Sequence, residues 1–125
     1  MTATSMYQVS FAPPMRAPKL VEPQGRVQRV TRLLALAHRI DALVAAGELR
    51  DLADAARVLG LTRARVTQLM NLLLLAPELQ LAVMELPLTV NGRDTVTERS
   101  LRRIVAEAVW EQQLALWRQL HREVV

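Results

Sequence analysis

The sequence predicts an all-α fold, a bundle of about five helices behind an extended, proline-rich N-terminal arm. Three observations predict it. Apolar residues make up 51% of the 125-residue chain, yet one Phe, one Tyr and two Trp are few for a β-sandwich. The apolar supply is mostly Leu, Ala and Val, and the polar positions are rich in Arg, Glu and Gln, which are good helix formers. From residue 26 onward, apolar positions recur at helical spacing.

Residues 1–25 hold Pro13, Pro14, Pro18 and Pro23, four of the six prolines, so this arm is extended and has no core of its own. Its Tyr7, Val9 and Phe11 alternate. That leaves two readings, a loose tail or a segment that pairs as a strand or docks on a neighbouring subunit. Residues 26–125 form the helical domain. Val27, Val30, Leu33, Leu34, Ala37, Ile40, Leu43 and Val44 make one long stripe ending near Ala46, and Gly47 stops it. A second helix spans Arg50 to Leu59 with Leu52, Ala55, Ala56 and Leu59 turned inward, and Gly60 ends it. Thr62 caps a third helix running to about Leu75. Pro77 opens a fourth that continues to Leu86, where Pro87 ends it.

Residues 88–96 read as a loop or small hairpin around Asn91-Gly92. Thr95 and Glu98 match a capping box, with Thr97 a competing cap, so the C-terminal helix starts near residue 97. Its stripe of Leu101, Ile104, Val105 and Ala108 shifts phase to Trp110, Leu114, Trp117 and Val124. Such a shift implies a bend near Ala108 to Trp110, or a second surface to bury, such as a subunit interface.

The net charge is +4, and Lys19 is the one lysine among sixteen basic residues. That sign fits a polyanionic partner. The absence of cysteine removes disulfides and thiolate metal sites. The longest apolar run, near Leu72 to Leu75, is far too short to span a bilayer, and the first residues lack the pattern of a signal peptide. No membrane association is expected, and the expected location is the cytoplasm, with the nucleoid. Catalysis is not expected either. His38 and His121 stand apart without clustered ligands, so no metal is expected. The four glycines are scattered singly, so no phosphate loop and no cofactor are expected.

Residues 50–75 carry the strongest signal. Two helices that cross steeply through a tight turn need a small residue at the crossing, a glycine where φ turns positive, and apolar residues on the inner face of the second helix. Ala56, Gly60 and Leu61, then Val66 and Leu69, supply them. This is the pattern of a helix-turn-helix. With Val66 and Leu69 inward, Thr62, Arg63, Ala64, Thr67, Gln68 and Asn71 face out, and these types read base edges: Arg to guanine, Gln or Asn to adenine, Ala or the Thr methyl to thymine. Arg65, slightly off that stripe, is placed on a phosphate. No acidic residue occurs between Gly60 and Pro77. Arg93, Arg99, Arg102 and Arg103 cluster around the start of the C-terminal helix, where positive charge opposes the dipole; an external phosphate would account for them, as would a solvated face with Glu98 and Glu107 as partners. Arg26, Arg29 and Arg32 have the same two readings.

The run "DLADAARVLGLTRARVTQLMNLLLLAPELQ", residues 51–80, resembles the helix-turn-helix of the ParB/KorB family of partition and operator-binding proteins. The resemblance covers under a third of the chain. It implies that Thr62, Arg63, Arg65, Thr67 and Gln68 lie at an operator, and that a homodimer binds palindromic double-stranded DNA. ParB proteins also carry an N-terminal nucleotide-binding domain for which the arm has no room, so nucleotide use, sliding and partition are not implied. The later "LPLTVNGRDTVTERSLRRI" and the two Trp resemble small proteins that accompany site-specific recombinase genes on mobile elements. The expected function is sequence-specific DNA binding as a transcriptional regulator or accessory factor of such an element. The rival expectations are a protein-interaction module that docks a recombinase through its C-terminal helix, and an architectural protein that binds DNA without sequence preference.

Overall fold

The computed structural model describes residues 25–124, and the arm expected over residues 1–25 lies outside them except for Gly25. Every regular element among the described residues is helical: α1 (Arg29–Ala45), α2 (Leu52–Leu59), α3 (Arg63–Asn71), α4 (Pro77–Met84), α5 (Glu98–Val105) and α6 (Trp110–Val124). A short 3-10 turn, Leu72–Leu74, continues α3.

The core joins both ends of the domain. Val30 and Leu34 of α1 pack with Leu72, Leu75 and Ala76 after α3, Leu79 and Val83 of α4, Val96 from the loop, and Leu101 and Ile104 of α5. Leu114, Leu116, Trp117 and Leu120 of α6 close over it, partly buried. The other buried apolar side chains are Ala37 and Ile40 of α1, Ala55 and Ala56 of α2, and Val66 and Leu69 of α3. These three helices contact one another. The domain is therefore built around α1, which holds the α2–α3 pair along one part of its length and α4 along another.

Several element boundaries differ from the sequence expectation. Helix α1 begins at Arg29, two residues after the apolar stripe opens at Val27, because the chain before it is tied elsewhere. Arg26 exchanges backbone hydrogen bonds with Thr89, at 2.9 and 2.8 Å, as an isolated antiparallel bridge. Gln28 is buried and its side chain caps no amide of its own helix; the side-chain amide donates to the carbonyl of Pro87 and to Thr95, each at 3.0 Å. One open backbone N–H of α1 is served instead from the distant loop, where Asp94 Oδ2 accepts from the Arg29 amide at 2.9 Å. That bond, then the hydroxyl of Thr89 and the guanidinium of Arg26, hold the Asp94 carboxyl below its ordinary range.

Thr89 is thus paired with Arg26, and residues 88–96 form a loop rather than a hairpin. Thr95, offered as one cap of the next helix, is bonded to Gln28. Thr97 caps α5 instead, its hydroxyl accepting from the Ser100 amide at 3.1 Å. Helix α4 stops at Met84, short of Leu86. The expected C-terminal helix is two helices: the chain breaks between Val105 and Trp110, where the apolar stripe changes phase, and α5 and α6 pack on each other. Trp110, assigned to the second stripe, is 52% exposed. Buried Gln113 locks α6 in place by accepting from the Ala76 amide at 2.8 Å and donating to the carbonyls of Glu107 and Leu74 at 2.9 and 3.3 Å.

Candidate nucleic-acid interface

Helix α2 opens one residue after Asp51, whose carboxylate accepts from the Asp54 amide at 2.8 Å. Asp54 reaches back to the Arg50 amide at 3.0 Å, so the two acidic residues serve two backbone amides at the helix start, in the manner of a capping box. Arg57 donates to Asp54 at 2.5 Å, and the Arg50 guanidinium stands 3.5 Å from it. The Arg50 amide and then the Arg57 side chain hold the Asp54 carboxyl down at about 2.

At its other end α2 stops on Gly60, in the left-handed region at φ 70° and ψ 32°. The Leu61 amide then donates to the carbonyl of Ala56 at 2.9 Å, which closes the turn. Only two residues later Thr62 caps α3, its Oγ1 accepting from the Arg65 amide at 3.0 Å. The turn is therefore fixed at both ends. Leu52 and Leu59, expected inward, are 37% and 41% exposed. The two short helices bury the small residues Ala55 and Ala56 midway along α2, so residues at its ends overhang.

On α3 the division of faces is clean. Val66 and Leu69 are buried, whereas Thr62, Arg63, Ala64, Thr67, Gln68 and Asn71 are all exposed. At the helical step of about 100° per residue, Ala64, Thr67, Gln68 and Asn71 fall on the side opposite Val66 and Leu69. Arg63 stands at the rim, lining a cleft of about 480 Å³ between the start of α2 and the start of α3 together with Arg50, Asp54, Arg57 and Leu61.

Arg65 is placed differently from the other candidates. Its side chain is 25% exposed and forms a bidentate pair with Glu98 at the start of α5, Nη2 donating to Oε1 at 3.1 Å and Nη1 donating to Oε2. Nη1 also donates to Gln68 Oε1 at 3.2 Å. Hydrogen bonding to Arg65 lowers the Glu98 carboxyl and, reciprocally, raises Arg65. The amide nitrogen of Gln68 keeps its donors and its oxygen keeps one lone pair, so the side chain can still meet adenine in two places.

The pair brings α5 beside α3. Arg102, one turn beyond Glu98, joins Gln68, Asn71, Leu72, Leu74, Val105 and Ala106 around a groove of about 290 Å³. Arg103 lines a different groove, with Ser100, Ile104 and residues of α6. Arg93 and Arg99 are exposed, and neither is brought into that groove. Sequence reasoning missed Arg50 and Arg57 as part of the site; their spacing about Asp54, four before and three after, was the available signal. His38 bonds Gln80 Oε1 at 2.7 Å, while the Gln80 amide nitrogen donates to the carbonyls of Leu73 and Leu75. Among the described residues no three His, Asp or Glu side chains converge as metal ligands would, and no single helix is long and apolar enough to cross a membrane.

No protein-family model, no curated protein and no solved structure matches the chain.

Proposed function

We propose that this chain binds double-stranded DNA sequence-specifically, as a homodimer, with α2, the Gly60 turn and α3 acting as a helix-turn-helix. In this reading it regulates transcription, or assists a recombinase, for a mobile element. The observation that carries the proposal is the outer face of α3. Six residues of base-reading type are exposed on a helix whose other face is buried and whose start is fixed by the Gly60 turn and the Thr62 cap. A solvated face needs no such composition; a reading face needs short polar side chains, a methyl group and an arginine, with no carboxylate among them. Arg63 is assigned to a guanine, Gln68 and Asn71 to adenine, and Ala64 and the Thr67 methyl to thymine. Arg50 and Arg57 flank the cleft beside Arg63 and are assigned, with Arg102, to phosphates.

Selection from random duplexes at near-physiological salt tests this. Enrichment of an inverted repeat supports it, and Arg63→Ala should then weaken the selected site by ~1–3 kcal/mol and relax preference at one base pair. Retention without enrichment would make the protein an architectural binder, with affinity that falls with salt and hardly varies with sequence. A second reading has its own observation: Leu74, Val109 and Trp110 are all more than half exposed, and the carbonyls of Leu74 and Val109 both bond Gln113. An apolar patch there favours docking of a protein partner, a recombinase or a second subunit. Charge reversal at Arg63, which makes no ion pair among the described residues, separates the readings, since it should abolish DNA binding and leave a partner bound.

A further inference from the structure

We propose that the Arg65–Glu98 pair is a positioning clamp that holds α5 against the reading helix, so that Arg102 grips the phosphate beside the bases met by Gln68 and Asn71. The inference rests on the DNA-binding reading and adds to it a composite surface, α3 for sequence and the last turn of α5 for backbone. Three observations carry it. The pair is bidentate and only a quarter exposed, so it fixes angle as well as distance between two helices far apart in sequence. Arg65 also holds the Gln68 oxygen, which makes the clamp continuous with a reading side chain. Arg102 and the pair Gln68 and Asn71 line one groove, and Arg102 makes no ion pair among the described residues.

Charge argues the same way. Arg65 would otherwise be the cation in the middle of this surface, and Glu98 neutralises it. Arg102 is then the cation left beside Gln68 and Asn71 for a phosphate, while Arg65 serves as a positioning residue. The clamp would therefore trade one non-specific contact for a defined orientation.

The test uses the full chain and the duplex chosen by the wild-type protein. Binding is measured across a salt series to that duplex and to a random one, for wild type, Arg102→Ala, Glu98→Gln and the double variant. Arg102→Ala should weaken both duplexes alike and reduce the slope of log K against log salt by about 1. Glu98→Gln releases Arg65, so random-duplex binding should stay level or tighten while preference for the selected site falls by about tenfold or more, in the range of one lost bidentate base contact. In the double variant the slope should change by less than Arg102→Ala causes alone. A merely structural role for Glu98 would weaken both duplexes together. An unaltered slope in Arg102→Ala, or an unaltered preference in Glu98→Gln, overturns the clamp while leaving the DNA reading intact. A wild-type protein that selects no sequence overturns the reading itself.

Discussion

Replacing Gln113 with methionine should destabilise the domain by about 2–3 kcal/mol without creating a cavity. Gln113 is 1% exposed, and its amide serves three backbone groups. Methionine has nearly the same length and shape, so packing survives and only the hydrogen bonds are lost. The three bonds are not equal. Leu74 and Glu107 are exposed residues whose carbonyls can recruit water, so their loss costs little. Ala76 is fully buried, and its N–H, at the start of α4, has Gln113 Oε1 as its acceptor at 2.8 Å. A buried donor left without an acceptor costs about 1–3 kcal/mol, and the two weaker losses bring the sum to the upper part of that range. For a domain of this size each kcal/mol moves the melting midpoint by roughly 4–8 °C, so Gln113→Met should melt roughly 10–20 °C below wild type. Urea unfolding is the better assay, because the midpoint should fall while the slope m is unchanged. Gln112→Met, at the neighbouring exposed position, is the control and should stay within about 0.5 kcal/mol of wild type. A loss below 1 kcal/mol in Gln113→Met would show that the Ala76 amide finds another partner, and the assignment of Gln113 as the lock on α6 would be wrong.

Gly60→Ala should cost about 1–2 kcal/mol and Gly60→Asn less, because a Cβ there meets nothing within 4 Å and the whole penalty is the left-handed backbone; equal losses in urea unfolding would refute that cause. Gly25→Ala acts by contact instead. Its Cβ would stand 2.5 Å from the Thr89 carbonyl oxygen, so the Arg26–Thr89 bridge should open and amide exchange at those two residues should accelerate. Asp54→Asn should narrow its stability deficit in acid. The folded carboxyl lies at about 2 against an ordinary 3.8, so its contribution is full above about pH 5 and is lost as pH falls through the window from 4 to 2. Melting curves of the two proteins should run apart at neutral pH and converge below pH 3; a constant gap would assign the effect to shape rather than charge.

Local signals were legible. Gly60, Thr62 and Pro77 each dictate a backbone state or a cap within a few residues, and each stands where the sequence placed it. The face division of α3 followed from Val66 and Leu69 alone. What could not be read was the partner of any side chain from a distant segment. Gln28 looks like an ordinary helical residue until its hydrogen bonds to Pro87, Thr95 and Val96, across 59, 67 and 68 positions, stop α1 from starting earlier. Thr95 and Glu98 match a capping box by spacing, but Gln28 takes the one and Arg65 the other. Propensity ranks such alternatives only by local energies of about 1 kcal/mol, and tertiary bonds of similar size reverse the order.

Distant contacts also set the charge of the proposed DNA-binding face. From the sequence, the stretch from Gly60 to Pro77 is free of acid, and Arg63 and Arg65 both count as cations open to a polyanion, one toward bases and one toward a phosphate. In the fold they are not both open. Arg63 opens onto the cleft beside Arg50 and Arg57, two cations already turned toward Asp54, whereas Arg65 is closed off by a carboxylate that lies 33 positions along the chain. A helix that only needed to be basic would gain nothing from that carboxylate, which costs it a cation and some long-range attraction for a polyanion. A helix that must be held at one angle to its neighbour gains a fixed fork between α3 and α5. The fold therefore gives up attraction for geometry at Arg65; under the proposed function, that exchange suits a surface that discriminates among duplexes rather than one that merely adheres to them.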